Sequence, residues 1–294
     1  MTEYLLLAGS ILLATSNNVL LHGYGNQNRM KGTFLFNFYT SLVWIVMLFS
    51  LLGTIPKLTV ETVGYGILYG VSQALFLLFK MKAMGTGSIS VTTLFGNCSL
   101  IVSTLLGVLI WKESINGFQI IGVALLILAM YLCTQTSKGE RPHKMWKFYC
   151  TGFFLVAGTV GVVMKIYSKA VPEEVGSVIL ISSIVMAMMH LAFYFLFSVK
   201  DKEKITFAKR DYIYILLCGI VSCGYNRLNS HLAGTLPSII FYPVFNGTTI
   251  LCSTMAGRFF FKEKFTTRQI VGFVTGIAAI ALAGNIMSVF RGFD

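Results

Sequence analysis

The sequence predicts an all-α integral membrane protein with ten transmembrane helices, arranged as two inverted five-helix repeats. Three observations predict it. Of 294 residues, 55% are hydrophobic and only 12% charged, with a mean hydropathy of +0.76. Soluble domains carry about a quarter charged residues, so this much apolar surface has no soluble core to enter. Ten apolar runs approach the roughly twenty residues needed to cross the hydrocarbon of a bilayer. A segment of the first half also returns in the second at a fixed offset, the signature of an internal repeat.

The first run, near 3–22, carries Glu3 and has no Lys or Arg ahead of its apolar stretch. A cleaved leader needs a positive start and a small-residue cleavage site, so this run reads as a retained helix. The second and third, 32–52 and 63–82, are separated by GTIPKLTVET. The fourth, 88–110, ends at Lys112–Glu113, and the fifth, 117–136, runs into the charged TSKGERPHKMW. The sixth, 147–168, stops ahead of Pro172; the seventh, 175–198, ends at VKDKEKITFAKRD. The last three cover 211–231, 237–261 and 268–289. The expected division is a first repeat over 1–137, a connecting loop over 138–146 and a second repeat over 147–294.

The repeat is carried by two 42-residue segments that align without a gap, one from Ser88 and one from Ser238, with thirteen identical positions. Gly107 matches Gly257, Glu113 matches Glu263, Gln119 matches Gln269 and Gly122 matches Gly272. Identities at Glu, Gln, Lys and Gly are not a product of shared hydrophobicity. Five helices per repeat is an odd number, so the second copy enters the membrane from the opposite side, as in many secondary transporters.

Two halves of five helices, each with a short corner reading LIWKES at 109–114 and FFFKEK at 259–264, resemble the drug/metabolite transporter superfamily, and EamA-type permeases in particular. The resemblance covers essentially the whole chain. It implies a secondary carrier that moves a small metabolite through a central cavity by alternating access, and it does not imply a substrate.

The residues themselves suggest where such a cavity lies. Ionisable groups inside spans are costly and often functional. The spans carry Lys80, Lys82, Lys165 and Arg227, with His231 four residues after Arg227 on the same helix face. Acidic residues are missing from the helix centres, and Asn17 and Asn18 stand in the first helix. A basic, carboxylate-poor cavity suits an anionic or zwitterionic metabolite; snorkelling to the interface is the structural alternative for the lysines. Among neutral groups, Asn37, Tyr39, Gln73, Asn97, Tyr225, Asn226, Tyr242 and Asn246 also fall within apolar runs, where interhelical hydrogen bonding competes with substrate contact. The substrate-binding candidates are therefore Asn17, Asn18, Lys80, Asn97, Lys165, Asn226, Arg227, His231, Tyr242 and Asn246. Gly107, Gly122, Gly257 and Gly272 read as close helix-packing positions, and Glu113 and Glu263 as groups that cap or pair at the corners.

The net charge of +12 suggests nucleic acid at first sight, but the Lys and Arg sit mostly in short loops, where membrane topology places them. The expected partners are a small-molecule substrate and the lipid bilayer, with no nucleic acid. No HExxH, CxxC pair, Walker loop or nucleophile elbow is present, so no metal, cofactor or catalytic site is expected, and the six cysteines read as buried small hydrophobes. Competing readings are an exporter of amino acids or cationic drugs, a non-transporting membrane subunit, and a membrane-embedded lipid enzyme. The expected location is the plasma membrane. Seventeen Lys and Arg flank one side of the predicted topology and six the other, which places both termini outside. An epitope at the C-terminus is therefore expected to bind antibody on intact cells; staining only after permeabilisation would reverse the orientation.

Overall fold

A backbone in hydrocarbon must satisfy its own hydrogen bonds, and the apolar runs do so as helices. The computed structural model describes residues 2–25, 30–52, 58–86, 96, 98–113, 115–133, 144–198, 207–261 and 266–283. Among the described residues, the helices with defined bounds are α1 (Thr2–Gly25), α2 (Met30–Leu52), α3 (Val60–Thr86), α4 (Leu100–Trp111), α5 (Gly117–Cys133), α6 (Trp146–Ala170), α7 (Val175–Ser198), α8 (Lys209–Thr235), α9 (Ser238–Phe261) and α10 (Thr267–Ala283), with a 3-10 turn at Pro172–Glu174 between α6 and α7. No strand occurs among the described residues.

Five of the described helices, α1, α2, α3, α6 and α7, are long and apolar enough to cross a membrane; α4, α5, α9 and α10 hold shorter apolar segments. The 27-residue α8 belongs to neither group. Its second half carries Asn226, Arg227, Asn229, Ser230 and His231, so the span expected at 211–231 is a helix of much lower apolarity than its neighbours. Polarity is distributed as lipid requires. Leu5, Leu12, Val46, Leu109, Met188 and Leu196 are exposed, whereas Ser10, Thr62, Ser182, Ser183, Ser230 and Lys165 are buried. Apolar exteriors on this scale mark a surface that meets something other than water.

The chain divides into two compact units. One comprises 82–162 and 235–294, the other 2–81 and 163–234, so each draws on both halves of the sequence. In the first unit α5 packs on α10, and α9 packs on α4, α5 and α10. The helices α5 and α10 begin 150 residues apart, at Gly117 and Thr267, and each has 17 residues. Leu126, Met130 and Ala279 form their shared core, and Arg268 on α10 lies over the Tyr131 ring at 4.5 Å and donates to the Tyr131 carbonyl at 2.9 Å. In the second unit α2 packs on α7. Gly70 of α3 also lies against α7, where a Cβ would stand 2.7 Å from the Ser182 carbonyl oxygen, a separation only glycine permits. The Glu174 carboxylate accepts hydrogen bonds from the Thr62 and Thr59 hydroxyls, which ties the α6–α7 turn to the start of α3.

The corner after α4 explains several repeat identities at once. Lys112 turns left-handed (φ 51°, ψ 41°), and the Glu113 N–H reaches back to the Val108 carbonyl at 3.2 Å, closing α4. Glu113 then caps α9: its carboxylate accepts from the Ser238 N–H at 2.6 Å and from the Ser238 hydroxyl at 3.4 Å. A carboxylate at a helix N-terminus satisfies a free donor and complements the helix dipole. A Cβ at Gly107 would collide with the Ser238 side chain, so glycine lets α4 approach that same N-terminus. Next in the chain, Asn116 and Gln119 form a reciprocal cap on α5: the Phe118 N–H donates to Asn116 Oδ1 at 2.6 Å and the Asn116 N–H to Gln119 Oε1 at 3.0 Å. Gly122 and Gly272 are buried. Glu263 lies outside the described residues, as do the surroundings of Gly257.

Glu113→Ala is expected to cost about 1 kcal/mol through loss of the α9 cap, read as a lower melting temperature in detergent. Gly107→Val is expected to destabilise more than Gly107→Ala, because a larger side chain must displace Ser238.

Candidate functional site

Polar side chains on one face of α8 meet α1, α2, α3 and α6 inside the second unit. Asn226 is at the centre. Its Nδ2 donates to the Ser222 carbonyl at 2.9 Å, and its Oδ1 accepts from the Tyr69 hydroxyl of α3 at 3.2 Å. One turn on, the Ser230 hydroxyl bonds the Asn226 carbonyl at 2.8 Å and the Tyr167 hydroxyl of α6 at 2.5 Å. The Tyr69 and Tyr167 rings pack edge to face, centroids 5.1 Å apart, and both are fully buried. Ser10 of α1 donates to Asn229 Oδ1 at 2.6 Å, and Trp44 of α2 donates to the Ser222 hydroxyl at 2.7 Å. These side chains are all neutral. Such a network in an apolar setting holds helices in one register, because breaking one member strands the others.

On α3 the inner face continues beyond Tyr69 through Gln73, Phe76 and Lys80, at spacings of four, three and four. Gln73 is half-buried and donates from Nε2 to the Tyr69 hydroxyl oxygen at 2.8 Å. The Lys80 ammonium lies 5.8 Å from the Phe76 ring centroid.

The residues expected at the site separate accordingly. Asn226 belongs to the network. Lys165, on the α6 segment that carries Tyr167, is 1% exposed, and Asn17 on α1 is buried too. Asn18 faces outward. Arg227 and His231 do share a face of α8, as their spacing requires, but it is the exposed face; His231 pairs there with Glu3 at 3.3 Å. Ser230, between them in the chain, points inward. A helix turns by 100° per residue, and here that turn separates the buried Asn226 from the exposed Arg227.

Tyr242 and Asn246 belong to the first unit. The Tyr242 hydroxyl donates to the Gly161 carbonyl of α6 at 2.5 Å, and Asn246 donates to the Tyr242 carbonyl at 2.8 Å. Ser103 of α4 bonds the Gly158 carbonyl at 2.9 Å. These groups tie α4 and α9 to the backbone of α6. Asn97 lies outside the described residues. Tyr69, Tyr167, Ser10 and Ser222 were not among the expected residues; the four-residue spacing of Tyr69 and Gln73 is the one signal in the sequence that could have raised them. Among the described residues no group of His, Cys, Asp or Glu is placed to hold a metal ion.

Comparison with known proteins adds a family. The family model described as sugar transport protein matches residues 18–290. The chain is 25% identical to the glucose uptake protein GlcU of Staphylococcus xylosus over 281 residues, covering 94% of this chain and 91% of the relative. It is 26% identical to the "Probable glucose uptake protein GlcU" of Bacillus cereus over 302 residues, covering 96% of this chain and 95% of the relative. A solved crystal structure aligns with a TM-score of 0.70 at 11% identity, over 94% of this chain and 98% of its own, a likeness of fold alone.

Asn226 and Arg227 offer a paired test of the network. Asn226→Leu removes the acceptor of a fully buried hydroxyl and is expected to cost about 1–3 kcal/mol, whereas Arg227→Ala is expected to stay within about 0.5 kcal/mol of wild type. Thermal unfolding of both variants in one detergent measures the contrast.

Proposed function

The chain belongs to the sugar transport protein family and is a multi-pass protein of the plasma membrane, and from that premise we propose that it takes up a small neutral sugar, with glucose as the reference substrate. The observation that carries this reading is the family match across residues 18–290, and the names of the two GlcU relatives support the cargo and the direction. The chemistry of the network around Asn226 agrees with a neutral solute. The network around Asn226 in the second unit is made of neutral hydroxyls, amides and an indole, and Arg227 is turned away from it.

The architecture we propose is the ten-helix inverted repeat, with alternating access as its mechanism and the EamA-type arrangement as its nearest description. What supports it is the pairing of helices related by the repeat: α5 packs on α10, α4 on α9 and α2 on α7. A bundle assembled from such pairs carries the approximate symmetry that lets one site open to either side. No catalytic step is needed for this activity.

A second reading keeps the anionic or zwitterionic cargo, because Lys165 is a buried cation on the same α6 segment as Tyr167. Uptake into proteoliposomes separates the two. Saturable entry of labelled D-glucose, displaced by unlabelled D-glucose but by neither L-glucose nor glucose 6-phosphate nor amino acids, is the expected result. Competition by the phosphate or by amino acids, with no effect of neutral hexoses, would establish the second reading in its place.

A further inference from the structure

The hydrogen bonds from Asn226 through Tyr69 to Gln73 run in one direction. Asn226 Nδ2 faces the Ser222 carbonyl at 2.9 Å, an oxygen that can only accept. The Asn226 amide is thereby fixed with Oδ1 toward Tyr69, 3.2 Å away, so Tyr69 must donate to it. The Met164 sulfur, 3.9 Å from the same hydroxyl, is the weaker acceptor. A tyrosine hydroxyl has one hydrogen. Once it is committed to Asn226, the Tyr69 oxygen can meet Gln73 only as an acceptor, and Gln73 must present Nε2 to it, at 2.8 Å. The Gln73 carboxamide is then fixed as well, with Oε1 turned away from Tyr69. That oxygen accepts no hydrogen bond among the described residues, and Gln73 is only half-buried. The same logic sets the neighbouring chain: Ser230 gives its hydrogen to the Asn226 carbonyl, so Tyr167 donates to Ser230.

We propose that Gln73 Oε1 is an acceptor for one hydroxyl of the transported sugar, and that Tyr69 and Asn226 are positioning residues that hold it in that orientation. The inference rests on the sugar-uptake reading above. A sugar is a ring of hydroxyl donors, and an acceptor that cannot rotate into a donor selects for a hydroxyl at one ring position. An amide free to flip would accept from a hydroxyl or donate to an ether or fluorine with little preference. A site built to hydrogen-bond a substrate hydroxyl rejects the analogue lacking it, because its own polar atom is left unpaired.

The experiment is uptake of D-glucose into proteoliposomes, competed by the monodeoxy and monofluoro glucoses. Wild type is expected to show one ring position at which removal of the hydroxyl weakens competition about tenfold. Gln73→Leu is expected to raise the apparent KM for glucose by a similar factor while leaving the affinity for that one deoxy analogue unchanged, so the discrimination disappears at one position only. Gln73→Glu keeps acceptor oxygens and is expected to retain it. Tyr69→Phe frees the amide to flip and is expected to reduce the discrimination without abolishing transport. Should Gln73→Leu fail to reach the membrane, Gln73→Met, of similar length, is read in the same way. A purely structural role would lower the maximal rate for every analogue alike, and an unchanged analogue profile in the Leu or Met variant overturns the inference while leaving sugar uptake intact. A wild-type protein with no saturable glucose uptake overturns both.

Discussion

A hydrogen-bonding group that faces hydrocarbon has no water to fall back on, so each polar atom in a membrane helix must find a partner on another element or within its own turn. This constraint organises the second unit. Tyr69, Tyr167, Asn226, Ser230, Ser10 and Asn229 come from four helices and are buried together, while Leu5, Leu12, Phe49, Phe195 and Leu196 look outward. Hydrophobic burial sets no preference among neighbouring helices when lipid is as apolar as a side chain. Directional bonds and close glycine contacts then decide which helices meet.

The first unit uses the same means with different parts. Side-chain hydroxyls from Ser103 and Tyr242 reach carbonyls of α6 at Gly158 and Gly161, and a carboxylate closes the corner by capping α9. The corner works because three residue types act together: a glycine small enough at Gly107, a backbone that turns left-handed at Lys112, and an acid at Glu113 that reaches the free N–H of Ser238.

Much of this was legible in the sequence. Several helix positions follow from hydropathy, and α7 matches the expected 175–198 at both ends. The identities at Gly107, Glu113 and Gln119 also announced themselves, since a corner needs a particular chemistry at a particular place and composition does not mimic it. The direction in which α8 faces was not legible. The spacing of Arg227 and His231 put them on one face correctly, but which face turns inward depends on the tyrosines of α3 and α6. A tyrosine in an apolar run looks like any other aromatic residue until its hydroxyl has a neighbour. Charge alone does not separate the two cations: Lys165 and Arg227 read alike in the sequence, yet one is enclosed and the other exposed. The family assignment also moves the emphasis of the proposed function toward a neutral sugar.

The composition of α8 also bears on how the chain is made. A segment with two asparagines, an arginine and a histidine in its second half partitions poorly into lipid alone, since an arginine at mid-bilayer costs about 2.5–3.5 kcal/mol at insertion. Its hydrogen-bonding partners Ser10, Trp44, Tyr69 and Tyr167 all precede it in the chain. During synthesis they reach the bilayer before α8 emerges, so the last-made surface of the network arrives at a template already in place. In the proposed ten-helix arrangement, insertion of α8 would be coupled to folding of the helices ahead of it, and a defect in α3 or α6 would be felt first as a failure of biogenesis.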